Sequence, residues 1–122
     1  MPVKKKILIV DDSATERQFL LETLSRAGYQ CVIAETGDEA IEKSRSERPD
    51  LILMDVVMPG TSGYAATRAI SRDAGTKHIP VFLCTSKSAA TDKIWGMRQG
   101  ARDYLTKPID AKELVSKIAQ LG

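Results

Sequence analysis

The sequence predicts an α/β fold: a doubly wound, five-stranded parallel sheet covered by helices on both faces. Three observations lead there. Short apolar runs alternate strictly with segments whose apolar residues recur at helical spacing, turn-forming residues fall between them, and 122 residues suit a single domain with one folded core. Right-handed crossovers then leave few ways to arrange five strands.

The elements follow in order. Apolar runs at 6–10, 31–34, 51–54 and 81–84, with a shorter one at 103–105, read as strands. Between and after them, Leu20 and Leu24 with Ala27, Ala40 and Ile41 with Ser44, Thr67 with Ile70, Ile94 with Met97, and Leu114 and Val115 with Ile118 and Ala119 mark helix faces expected to pack on the sheet. Gly28, Pro49, Gly75, Pro80 and Gly100 punctuate the units. No repeat or linker interrupts them, so residues 1–122 are expected to form one domain with no output module attached.

Composition excludes several function classes. The net charge of +2 arises from 18 basic and 16 acidic residues dispersed along the chain. The compact run Lys4, Lys5 and Lys6 reads as a solvated lead-in, and nucleic-acid binding is not expected. No stretch has the length and apolarity of a membrane span, and no signal peptide opens the chain, which predicts a cytoplasmic protein without membrane insertion. Cys31 and Cys84 lie in apolar runs without a Cys or His partner at ligand spacing, so they read as buried, reduced thiols.

The chemistry lies at the strand ends. Asp11 and Asp12 end the first strand, Asp55 the third, Thr85 the fourth, and Lys107 follows the fifth. In a doubly wound sheet these positions converge outside the carboxyl edge, where such folds bind ligands. A lone aspartate there reads as a helix cap, and Ser13 or Asp12 suits that role. Three acids are different. Two carboxylates about 4 Å apart repel by roughly 4 kcal/mol at a dielectric suited to a protein surface, so the cluster requires cations. Lys107 supplies one positive charge, and the oxygen donors suit Mg²⁺. Such a cluster can transfer a phosphoryl group to a carboxylate: Asp55 attacks phosphorus, and the metal and Lys107 neutralise the phosphoryl oxygens. Thr85 can then bond the new phosphate and draw its loop along, switching a surface.

The segments "VDDS", "LILMDVVMPGTSG", "CTSK" and "DYLTKPID" together resemble the receiver domain of bacterial two-component response regulators, the CheY-like family, over essentially the whole chain. The resemblance implies a flavodoxin-like (βα)5 sheet of order 2-1-3-4-5. It makes Asp55 the phosphoacceptor, Asp11 and Asp12 the acidic metal pair, and the Val57 carbonyl a further ligand for Mg²⁺, or Mn²⁺ in its place. Thr85 corresponds to the switch hydroxyl and Lys107 to the phosphate-contacting lysine. Pro108 matches a proline usually preceded by a cis bond. Tyr104 matches an aromatic whose ring turns inward when the threonine moves; an ordinary half-buried strand aromatic is its plainer reading. In that strand order Cys31 and Cys84 are two strands apart and cannot meet. Pro59, Gly60 and Gly63 would shape the loop presenting Asp55.

The stretch "TDKIWGMRQGARDYLTKPID" looks like single-domain regulators of pilus-linked chemosensory systems, the PilH type, which control twitching or phototaxis. Trp95, on the fourth helix beside the fifth strand and helix, reads equally as an interface anchor or as a residue packed into its own domain. Gly96 weakens that helix by roughly 1 kcal/mol relative to Ala, which marks it as pliable. Val57 and Lys87 would flank the path of an attacking water. Apolar Val57 gives that water no orienting group, which predicts slow self-dephosphorylation, while simple solvent exposure is the plainer reading of Lys87.

The expected partners are a histidine kinase of the CheA kind, or a small donor such as acetyl phosphate, and a downstream protein met by the fourth helix, fifth strand and fifth helix. The domain would be a monomer or weak dimer, would act as a switch or a phosphate sink, and would catalyse only its own phosphorylation and dephosphorylation. An aspartate-nucleophile phosphatase of the haloacid-dehalogenase type is disfavoured because Ser occupies position 13, where its second Asp belongs. A flavin or nucleotide binder is disfavoured because Asp11 and Asp12 repel phosphate. A pseudo-receiver would lack Asp55, Thr85 or Lys107, and all three are present.

Overall fold

The structure, a computed structural model, describes residues 5–87 and 89–121; Lys4 of the basic run lies outside them. Strands β1 (Lys6–Val10), β2 (Gln30–Ala34), β3 (Leu51–Met54), β4 (Val81–Thr85) and β5 (Asp103–Thr106) alternate with helices α1 (Ala14–Arg26), α2 (Gly37–Ser46), α3 (Gly63–Arg72), α4 (Ala90–Arg98) and α5 (Ala111–Ala119). All strand pairs are parallel and the order is β2-β1-β3-β4-β5, as the resemblance implies.

Side chains alternate across this sheet and divide the core in two. Leu8, Val10, Ile52, Met54 and Leu83 join Ala40 of α2 and Ala66 and Ile70 of α3. Ile7, Ile9, Leu51, Leu53, Phe82 and Cys84 join Leu20 and Leu24 of α1 and Leu114 and Ile118 of α5 on the opposite face. Because β1, β3 and β4 are covered on both faces, they read as unbroken apolar runs rather than alternating ones.

Local chemistry sets the helix ends. Ser13, Thr36, Ser62 and Asp110 accept backbone N–H bonds at the starts of α1, α2, α3 and α5, and Ser13 rather than Asp12 caps the first. Gly28 and Gly100 take φ of +95° and +108° just beyond α1 and α4, a conformation other residues rarely adopt.

Several expected core positions differ. Ala27 and Ala119 are exposed, since each lies at the end of its helix, where the chain lifts from the sheet. Ile94 and Met97 do not face the sheet: Ile94 is 54% exposed, and the buried residue of α4 is Gly96. Cys84 is buried, whereas Cys31 is only partly covered because β2 is an edge strand; both are free thiols, with β1 and β3 between their strands.

Candidate functional site

The site forms where β1 and β3 diverge into their loops. The Asp11 N–H donates to the Ala34 carbonyl (3.2 Å) and the Asp55 N–H to the Val10 carbonyl (2.9 Å), so sheet pairing continues one residue past both strands. That continuation buries both aspartates at the carboxyl edge. Asp12 is exposed beside them. One carboxylate oxygen from each of Asp11, Asp12 and Asp55 lies within 4.8 Å of the others.

Lys107 closes the cluster. Its Nζ donates to Asp11 Oδ2 at 2.8 Å and lies 3.6 Å from Asp55 Oδ1. The other Asp11 oxygen accepts from the Ser13 N–H (2.9 Å), which ties the site to the start of α1. Burial, reinforced by the negative charge of Asp11 and opposed by Lys107, pushes the Asp55 carboxyl up to about 6. Burial alone would lower the Lys107 pKa, but its hydrogen bond to Asp11 and the charge of Asp55 prevail and raise it. The pocket therefore holds its lysine charged while its central carboxylate is destabilised.

Three hard oxygen donors, two buried and one facing solvent, fit a small divalent cation that keeps some of its waters. Val57, two residues past Asp55, is 56% exposed. Gly63 lets α3 begin directly against the Asp55 backbone: a Cβ there would lie 2.0 Å from the Asp55 carbonyl oxygen, and its N–H donates to the Val56 carbonyl at 2.9 Å.

Thr85, fully buried at the end of β4, accepts from the Lys87 N–H at 3.3 Å. The Tyr104 hydroxyl donates to the Lys87 carbonyl at 2.6 Å, and the Lys107 N–H donates to the Thr85 carbonyl at 2.8 Å. Lys87 is thus gripped through its backbone, while its side chain is exposed. The Tyr104 ring is buried rather than half-buried, and burial raises its phenol above the usual range. The Lys107–Pro108 peptide bond is cis.

Trp95 is not part of this cluster. It is 51% exposed and lines a groove with α3, while Lys93 on the other flank of α4 approaches Asp103 of β5. Its indole therefore faces α3 rather than β5 and α5. Arg17 was not singled out by sequence reasoning. It donates to the Asp11 carbonyl at 2.8 Å and pairs with Glu35 at 3.0 Å, fastening the β1–α1 turn to the end of β2. A cation one turn into the helix after two adjacent aspartates was the available signal.

A five-stranded parallel sheet with an acidic cluster and a lysine at its carboxyl edge is the architecture of a receiver. Residues 7–119 match the response regulator receiver domain family, and the chain belongs to that family of two-component signalling proteins. It is 51% identical to protein PilH of Pseudomonas aeruginosa over 113 residues, 93% of each chain. It is 43% identical to the phosphate regulon regulator PhoB of the same species, over 95% of this chain but 51% of that protein, so it spans about half the length of such relatives. Among solved structures, Vibrio cholerae chemotaxis protein CheY4 superposes with a TM-score of 0.91 at 32% identity, covering 98% of this chain and all of the other. The receiver domain of the Pseudomonas aeruginosa sensor kinase PA1611, solved with a magnesium ion coordinated in its active-site cleft, superposes with a TM-score of 0.88 at 29% identity, over 98% and 97% of the two chains. Among the described residues, no helix is long and apolar enough to cross a membrane.

Proposed function

We propose that the protein is a stand-alone receiver that accepts a phosphoryl group on Asp55 from a histidine kinase, or from a small donor such as acetyl phosphate, and thereby switches a protein-binding face. The observation carrying this reading is the buried, destabilised Asp55 carboxylate set against Asp11, with Lys107 in reach of both. In the transfer, an Asp55 oxygen bonds to phosphorus as the donor's bond to phosphorus breaks, and the departing imidazole or acetate keeps the electron pair. A divalent cation, Mg²⁺ or Mn²⁺, bound by Asp11, Asp12 and Asp55 with the Val57 carbonyl, supplies positive charge for the phosphoryl oxygens. Lys107, already between Asp11 and Asp55, shifts its ammonium to one of those oxygens.

The response follows the hydrogen bonds. When Thr85 turns its hydroxyl to the phosphoryl group it gives up the Lys87 N–H, and displacement of Lys87 releases the carbonyl that holds Tyr104. Tyr104 packs on Gly96, so α4 shifts with it and the face built by α4, β5 and α5 changes toward its protein target. Exposed, apolar Val57 offers an attacking water no hydrogen bond, and the exposed Lys87 ammonium offers no base, which favours a long-lived phosphate. The likeness to PilH supports a role in pilus-linked, chemotaxis-like signalling, and we infer that the protein works in the cytoplasm.

Intact mass after incubation with acetyl phosphate and Mg²⁺ tests the reading. One added phosphoryl group is expected in the parent protein, and none with a chelator or in Asp55→Asn. Failure with both acetyl phosphate and a phosphorylated kinase, or equal labelling of Asp55→Asn, would sink it.

A further inference from the structure

The groove between α3 and α4 is outside the acidic site, and its chemistry calls for a ligand of its own. On α3, Tyr64, Ala65, Arg68, Ala69 and Arg72 line it, opposite the face that buries Ala66, Thr67 and Ile70 in the core. Trp95 of α4 forms the other wall, and the Tyr64 hydroxyl donates to the Asp92 carbonyl at 3.2 Å, bracing the two helices. The groove has a volume of about 480 Å³, room for a few side chains rather than a folded domain.

Its charge is one-sided. Among the described residues no carboxylate lines it and neither Arg68 nor Arg72 forms an ion pair, whereas Arg17 and Arg45 are matched with Glu35 and Asp73. A half-exposed indole beside two unmatched guanidinium groups combines the residue types that dominate binding hot spots. Arginine's fork favours bidentate carboxylates. A second copy using the same face would set Arg68 and Arg72 against their own counterparts, a like-charge contact that opposes association.

We infer that the α3–α4 groove docks a short acidic segment of a partner protein, with one apolar anchor resting on Trp95 and the Tyr64–Ala65–Ala69 floor while flanking carboxylates pair with Arg68 and Arg72. The groove is already formed with Asp55 unphosphorylated, so docking requires no phosphoryl group there, although a shift of α4 would change the Trp95 wall.

Trp95 is the single tryptophan in the chain, so its fluorescence reports on the groove directly. The probe is a synthetic peptide of alternating glutamate and leucine with a central phenylalanine, compared with the same peptide carrying lysine for glutamate. The acidic peptide is expected to produce a saturable blue shift and to bind an Arg68→Ala/Arg72→Ala double variant at least about tenfold more weakly, the loss of roughly 1.4 kcal/mol of affinity. Equal response to the lysine peptide, or undiminished binding by the double variant, overturns the inference. So does a blue shift that rises with protein concentration alone, together with dimer in sedimentation, because the occupant would then be a second copy.

Discussion

Helices α3 and α4 each follow a strand that ends at the acidic site, yet they are held to the sheet differently. The Ser62 side chain caps α3, which buries Ala66, Thr67 and Ile70 beside β3 and β4. By contrast, Ala89 at the cap position of α4 offers no side-chain hydrogen bond, and the helix buries only Gly96, leaving Ile94, Trp95 and Met97 in solvent. A Cβ at Gly96 would lie 2.6 Å from Leu83 Cδ1 and 3.2 Å from the Tyr104 ring, so α4 adheres through the close approach of its backbone. Interdigitated side chains resist sliding, whereas a helix seated on one glycine moves at small energetic cost. The difference puts rigidity beside Asp55 and compliance beside Thr85 and Tyr104.

The strongest test truncates one isoleucine in each helix. Ile70→Ala removes a side chain that is 1% exposed and is expected to cost about 2–4 kcal/mol, whereas Ile94→Ala should stay within about 0.5 kcal/mol. Equal losses in urea unfolding would erase the contrast.

Asp55→Asn probes the rigid side through pH. The Asp55 carboxyl stands at about 6 against an ordinary 3.8, so between these values the folded protein holds a proton that the unfolded chain has lost. Stability of the parent therefore falls as pH rises through that window, and the full penalty is present above it. Without divalent cation, Asp55→Asn should be more stable at neutral pH by about 1–2 kcal/mol, allowing for partial solvent screening, with the gain vanishing below about pH 4. Thermal unfolding in chelator at both pH values measures it; a gain independent of pH would point to a cause other than the carboxylate.

Gly96→Ala tests the glycine seat itself. Helix propensity favours Ala by roughly 1 kcal/mol, but the crowding of Leu83 and Tyr104 is expected to cost more, leaving a net loss of about 1 kcal/mol. Unfolding free energy and the NMR shifts of the Tyr104 ring report the two effects. A stabilised variant with unmoved Tyr104 signals would mean that α4 has room to spare.

The smallest effect is a repair. Ala89→Ser offers α4 the cap that Ser62 provides for α3, and a gain of about 0.5–1 kcal/mol is expected in the same unfolding experiment. No gain would indicate that the first turn of α4 is frayed in the parent protein.

The sequence by itself determined the strands, their alternation with helices and the meeting of Asp11, Asp12, Asp55 and Lys107 at one sheet edge. These features depend on local periodicity and on the geometry of parallel crossovers, and both are written into residue order. Only the tertiary structure decided how α4 sits, because Ile94 and Met97 have the spacing of a buried face while Gly96 between them permits the closest approach to the sheet. Rotation of that helix placed Trp95 over α3 and turned an exposed aromatic into one wall of a basic groove. It likewise decided that the Tyr104 hydroxyl would hold the Lys87 carbonyl and that Arg17 would reach the Asp11 carbonyl. Such contacts depend on the distance and rotation between packed elements, which the periodicity of any one element does not specify.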